Sequence, residues 1–209
     1  MPTATKDSAA PFVPPKHTLP ILAKAVQKCR GCPLYANATQ AVFGEGKPHA
    51  RILFIGEQPG DKEDLAGHPF IGPAGQMLDQ CLQAAGIDRA EAYVTNAVKH
   101  FKWKPAGKRR LHDKPSMREI RACRPWLDAE IDALHPALIV TLGATAAQSL
   151  LGPAFRVTKQ RGQRIDAPNL PPILTTIHPS AILRARTSED RHRETEAFIA
   201  DLKAARKLL

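Results

Sequence analysis

The stretch Arg51-Ile-Leu-Phe-Ile-Gly56, running on into Glu57-Gln-Pro-Gly60, decides the fold. Four consecutive apolar residues closed by a glycine leave no polar face. The segment therefore reads as a strand covered on both sides, the habit of a parallel sheet. Working outward, three more runs read alike: Tyr93-Val-Thr-Asn96, Leu138-Ile-Val-Thr-Leu-Gly143 and Ile173-Leu-Thr-Thr-Ile-His178. Helical patterns lie between them over 75–85, 117–134 and 145–151, and 189–209 forms a long amphipathic helix with Phe198, Ile199 and Leu202 on one face. Strands alternating with helices predict an α/β fold, a three-layer α/β/α sandwich with a four-stranded, mostly parallel central sheet. One domain over 16–209 is expected, behind a disordered tail over 1–15 rich in Pro, Ala, Ser and Thr.

In such sheets a ligand binds beyond the carboxyl ends of the strands. Each strand here ends in polar or glycine-rich residues: Glu57 and Gln58, Asn96, the segment 142–145, and His178 with Ser180. All four ends are expected to meet on one edge. The segment 56–75 after the first strand holds glycines, the acids Glu57, Asp61 and Asp64, and Phe70 between Pro69 and a Gly-Pro turn. A connection of this length in a compact domain is usually functional.

The chain carries 30 Lys and Arg against 20 Asp and Glu, a formal net charge of +10. That excess favours a polyanionic partner, nucleic acid first. No apolar run approaches the length that crosses a bilayer, so no membrane is expected. The four cysteines are Cys29, Cys32, Cys81 and Cys123. The N-terminus lacks the pattern of an export signal, so a reducing cytoplasm is expected, and ligation of a metal or cluster is favoured over disulfides. Cys29-Arg-Gly-Cys32 has spacing suited to either a cluster or zinc. The segment 101–113 reads as a basic loop in which Lys108, Arg109 and Arg110 precede His112.

The segment 56–75 resembles the first signature of the iron–sulfur uracil-DNA glycosylases, and His178-Pro-Ser-Ala-Ile-Leu-Arg184 resembles the second. Glu57-Gln-Pro-Gly60 and the inserted Lys108-Arg-Arg-Leu-His112 are similar to the UdgX branch, whose members stay covalently attached to DNA. The resemblance implies roles. Phe70 stacks on a flipped uracil, with Gln58 beside it, Asn96 reads the O4 and N3 edge, and His178 faces O2. Ser180, Arg184, Lys108, Arg109 and Arg110 contact DNA. Asp61 and Asp64 support the pocket. It implies a [4Fe–4S] cluster held by Cys29, Cys32 and Cys123. Where the family has a third cysteine, this chain reads Val98-Lys-His100. His100 is the favoured fourth ligand and Cys81 the alternative, with a zinc site of three cysteines and one histidine also open.

The resulting expectation is a cytoplasmic, nucleoid-associated monomer acting on uracil-containing DNA, single-stranded as well as double-stranded. His112 is the expected nucleophile, its neutral form favoured by the three cations, with Glu57 as proton acceptor and His178 as stabiliser of the leaving base. The alternatives are an ordinary turnover glycosylase of the same fold and a non-catalytic iron–sulfur DNA-binding module.

Overall fold

A computed structural model describes residues 7–209. In chain order its strands are β1 (Glu45–Gly46), β2 (Ile52–Gly56), β3 (Ala92–Asn96), β4 (Trp103–Ala106), β5 (Arg109–His112), β6 (Leu138–Leu142), β7 (Arg164–Ile165) and β8 (Ile173–Thr176). Its helices are α1 (Leu19–Val26), α2 (Asp61–Ala66), α3 (Pro73–Ala85), α4 (Met117–Leu134), α5 (Ala144–Leu151), α6 (Val157–Gln160), α7 (Pro179–Leu183) and α8 (Ser188–Arg206).

The main sheet has the order β1-β3-β2-β6-β8-β7. The four expected strands form its centre and run parallel. Two-residue antiparallel strands, β1 and β7, extend it at both edges. The four-stranded expectation is thereby corrected to a mixed sheet of six. Pairs this short carry no periodic signal, so nothing in the sequence announces them.

Alternation along the central strands sorts side chains onto two faces. Phe54 is in register with Val94 and Val140, and Val140 with Leu174. These pack with Leu78 and Leu82 of α3, Ile182 of α7, and Phe198 and Leu202 of α8. The neighbouring row, Leu53, Tyr93, Ile139 and Ile173, packs with Leu127 and Leu134 of α4 and Ala146 of α5. Helices thus cover both faces. Helix α4 begins with a capping box between Ser116 and Glu119 and stops at His135, which adopts a left-handed backbone at φ 48°.

A third cluster lies beside the sandwich, where α1 and the segment after it meet α4 around Leu22, Val26, Ile120 and the fully buried Trp126. The N-terminal segment belongs to it. Ala9 is buried, its N–H donates to the Ala122 carbonyl at 2.7 Å, and Asp7 pairs with Arg118 at 2.8 Å. The expected tail over 1–15 is therefore packed chain from residue 7 onward, because small Ala9 fits against Gly31, where a Cβ would lie 2.6 Å from it. The rest of that expectation, 1–6, lies outside the described residues. Among the described residues no helix is long and apolar enough to cross a membrane.

Candidate active site

The carboxyl ends of β2, β3, β6 and β8 converge on one cavity of about 850 Å³, lined by Glu57, Phe70, Asn96, His112, Thr145 and His178. Its floor depends on a missing side chain. A Cβ on Gly56 would stand 2.4 Å from Asn96 Oδ1 and 2.7 Å from Phe70 Cζ. Phe70 itself has φ 58°, a left-handed backbone that costs a bulky residue about 1–3 kcal/mol. The start of α3 imposes it, for the Phe70 carbonyl sits where a Cβ on Gly75 would be, 1.6 Å away. The strain turns the Phe70 ring into the cavity, stacked toward the His178 ring at 6.3 Å between centroids.

Glu57 follows β2 directly and faces His112 Nε2 at 3.1 Å through Oε1. Thr145, at the start of α5, donates its hydroxyl to Glu57 Oε2. Burial alone would raise the Glu57 pKa, but the bonds from His112 and Thr145 outweigh it and hold the carboxyl below its usual range. Glu57 is thus an anion aimed at the His112 ring. Thr145 had no role assigned from sequence, and its only signal was its place in the polar end of a strand.

His178 opens α7. Its Nδ1 accepts from the Ser180 N–H at 3.2 Å and lies 2.8 Å from the Ser180 hydroxyl. With Nδ1 an acceptor, the ring proton sits on Nε2. Burial lowers the His178 pKa to about 4, partly opposed by Glu57. The ring is neutral at pH 7. Arg184 donates to the Ser180 hydroxyl at 2.9 Å. The Ser180 hydroxyl, expected to bind phosphate, here lies between His178 and Arg184.

The expected basic loop is a hairpin. Strands β4 and β5 pair antiparallel around Gly107, at φ 59°, and place Trp103 opposite His112. Gln58 locks its root. The Gln58 amide donates to the carbonyls of Lys102 and Asp113, each at 3.1 Å, and accepts from the Lys102 N–H at 3.0 Å. Gln58 also borders the cavity, as expected of a residue beside the base, with its amide bonded to the hairpin.

Arg110, expected to contact DNA, is paired within the protein. It donates to Asp61 at 2.6 Å and to the fully buried Asp64 at 2.7 Å, and its guanidinium lies 5.5 Å from the Phe101 ring and 5.6 Å from the Trp103 ring. It anchors the hairpin, and its charge is offset locally by Asp61 and Asp64. Asp64 is further held by the N–H and hydroxyl of Thr39, and Trp103 donates to the Asn37 carbonyl at 2.8 Å. The group facing His112 is thus Glu57, not a field of three cations. Lys108 and Arg109 are left on the exposed tip. His68, two residues before Phe70, pairs with Glu45.

The thiols divide. Cys29, Cys32 and Cys123 are free, buried and share the third core cluster, with the Trp126 indole N–H on Cys29 Sγ at 3.2 Å and the Lys99 N–H on Cys123 Sγ at 3.3 Å. Cys81 belongs to α3 on the other side of the sheet, against Met77. His100, next to Lys99, is buried, and burial lowers its pKa to about 4, so its ring is neutral. No group of three or more His, Cys, Asp or Glu converges on a single ion among the described residues. Two of the three thiols thus accept an N–H at sulfur, a donor set that fits thiolate ligands of a cluster or of a single metal ion.

The cavity, at the carboxyl edge of the parallel central strands, sets an anion, a neutral imidazole and an amide around a space of small-ligand size. The chain belongs to the uracil DNA glycosylase superfamily, whose family model matches residues 43–203. It is similar to the "Type-4 uracil-DNA glycosylase" of Thermotoga maritima, 41% identical over 172 residues, 82% of this chain and 86% of the relative. The protein of the same description from Sulfurisphaera tokodaii is 41% identical over 143 residues, 66% of this chain and 62% of the relative. That from Pyrobaculum aerophilum is 34% identical over 171 residues, 78% and 83% respectively.

Proposed function

We propose that this protein excises uracil from DNA and is left joined to the deoxyribose through His112, as in the UdgX branch. The observation that carries the proposal is the pairing of His112 Nε2 with Glu57 Oε1 at 3.1 Å on the cavity wall, with the hairpin that bears His112 held by Gln58 and Arg110. A nucleophile fixed at the reacting centre gains the large advantage of a prepaid orientation.

Uracil enters the cavity against Phe70, which replaces the stacking lost on leaving the strand. The Asn96 amide donates to O4 and accepts from N3–H, a pattern cytosine reverses. His178 donates from Nε2 to O2, where negative charge develops as the base departs. The C1′–N1 bond breaks and uracil leaves with the electron pair. Glu57 offsets the positive charge growing on the sugar. One nitrogen of His112 bonds C1′, and the imidazolium then loses its remaining N–H proton, with Glu57 the acceptor. The neutral N-alkyl imidazole is a poor leaving group, so the link persists.

Cys29, Cys32, Cys123 and His100 would hold a [4Fe–4S] cluster, which supplies a rigid crosslink between α4 and the segment after α1. Lys108 and Arg109 at the hairpin tip, with Arg184 beyond α7, provide phosphate contacts. The protein acts as a cytoplasmic, nucleoid-associated monomer on single-stranded and double-stranded DNA, through one domain.

The test is to mix the protein with single-stranded uracil-DNA and run a denaturing gel while measuring free uracil. A stable protein–DNA band and about one uracil per protein are expected, with the band absent in His112→Gly. Uracil released over many turnovers without a band replaces this reading with the ordinary glycosylase. A band in His112→Gly removes His112 as nucleophile.

A further inference from the structure

Behind the cavity a full charge pair sits where no solvent reaches. Lys99 and Glu130 pair with both side chains at 0% exposure. Glu130, on α4, also accepts from the Gly44 N–H at 3.1 Å, the Tyr93 hydroxyl at 3.2 Å and the Thr95 hydroxyl at 3.0 Å. Lys99 Nζ donates to the Thr95 hydroxyl at 2.7 Å and to the main-chain carbonyl of Asn96 at 2.8 Å. The proposed chemistry uses neither side chain.

A buried ion pair is a poor device for stability, since desolvation consumes most of the attraction and an apolar pair often serves as well. What the ammonium offers here is several donors on one atom. It joins α4, the side chain of Thr95 and the main chain of Asn96 at a single point. The turn it controls is otherwise tied to the catalytic strand end, for the N–H groups of Ala97 and Val98 donate to the carbonyls of Gly56 and Glu57 at 2.9 and 3.0 Å. The carboxylate occupies the space a side chain at residue 44 would need, for a Cβ on Gly44 would be 2.5 Å from it.

We propose that Lys99 is a positioning residue, whose ammonium, seated on Glu130, fixes the main chain of Asn96 and thereby the aim of the amide that reads the base. The inference rests on the uracil reading of the same cavity and deepens it. Asn96 stands at the end of its strand, where the ladder to β2 stops, so its carbonyl depends on Lys99 for a partner on that side.

The test uses free uracil as a competitor of uracil release from DNA and reads the concentration that halves the rate. Lys99→Met is expected to raise that concentration about tenfold, the worth of one buried hydrogen bond to a reading group. Glu130→Gln sets an amide N–H among groups that all donate to the carboxylate, unseats the ammonium and is expected to shift the concentration in the same direction. The half-inhibiting concentration belongs to folded molecules, so partial unfolding does not move it. If Lys99→Met is insoluble, Lys99→Met with Glu130→Gln removes the orphaned charge and carries the same expectation. A variant lacking Lys99 with a lowered Tm but wild-type uracil inhibition overturns the proposal, since the pair is then structural only. A wild-type value in Glu130→Gln beside a shift in Lys99→Met overturns the seating of the ammonium on Glu130. A wild-type protein that neither releases uracil nor responds to it sinks the uracil reading instead.

Discussion

Arg110 Nη1 donates to Asp64 Oδ2 at 2.7 Å, and the Asp64 side chain has no solvent exposure. A hairpin that projects from the sheet is thus fastened to the body of the protein by a charge that water cannot replace. Asp61 holds the other edge of the same guanidinium. Replacing Arg110 by Ala leaves a buried carboxylate short of its counter-ion, a cost of about 3 kcal/mol. The expected outcome is a lower Tm and adduct formation slowed at least about tenfold, with affinity for uracil-free DNA nearly unchanged. Lys108→Ala or Arg109→Ala is expected to do the opposite, reducing the salt slope of binding by about one each while adduct formation survives at low salt. Measuring both quantities for all three variants separates an anchor from a phosphate contact.

Gln58→Ala removes the clamp at the hairpin root without touching the groups around the base. Adduct formation is expected to slow more than uracil release, by about tenfold. If the two rates fall together, Gln58 contacts the base after all.

Gly56→Ala fills the space between Asn96 and Phe70. Because β2 is otherwise untouched, folding is expected to survive while uracil release drops by about a hundredfold or more. Circular dichroism alongside single-turnover kinetics checks this. Near-normal release would mean the base does not enter between Asn96 and Phe70.

His178 gives a pH dependence with a definite sign. In the unfolded chain a histidine takes up its proton below about pH 6.5, whereas in the fold burial delays this to about pH 4. Between those values the unfolded state binds more protons, so stability is lost as pH falls through the window. His178→Gln is expected to show a shallower decline of Tm from neutral pH toward pH 4. His100, also held near 4 by burial, contributes equally to both chains. Identical slopes would mean that His178 is already protonated in the folded protein.

The cysteine arrangement predicts which substitutions cost iron. Anaerobically purified protein is expected to hold about four irons per chain. Cys81→Ser keeps them, since Cys81 lies across the sheet from the other three thiols, whereas His100→Ala loses iron and colour. Iron lost in Cys81→Ser and retained in His100→Ala would reverse the ligand choice.

The central strands and the main helices were legible because apolar periodicity is local. Met117–Leu134 runs from a Ser-x-x-Glu box to the left-handed His135, and both ends can be read off neighbouring residues. The convergence of Glu57, Asn96 and His178 was legible too, because parallel strands must deliver their carboxyl ends to one edge. The hairpin was not. Half of its eight paired residues are polar, Pro105 is among the rest, and most of both strands is exposed, so no apolar stripe marks them.

By itself the sequence determined which residues line the cavity edge and where the three-layer core lies, since strand ends and buried faces follow from patterns a few residues long. Only the tertiary structure decided what the polar groups do there. Arg110 finds Asp64 across 46 positions of chain, Gln58 finds Asp113 across 55, and Lys99 finds Glu130 across 31. A charged or amide side chain on its own suits phosphate, base or protein equally well. Which one it serves is set by the buried partner it must satisfy, because an unpaired polar group taken from water costs more than any contact at the surface returns.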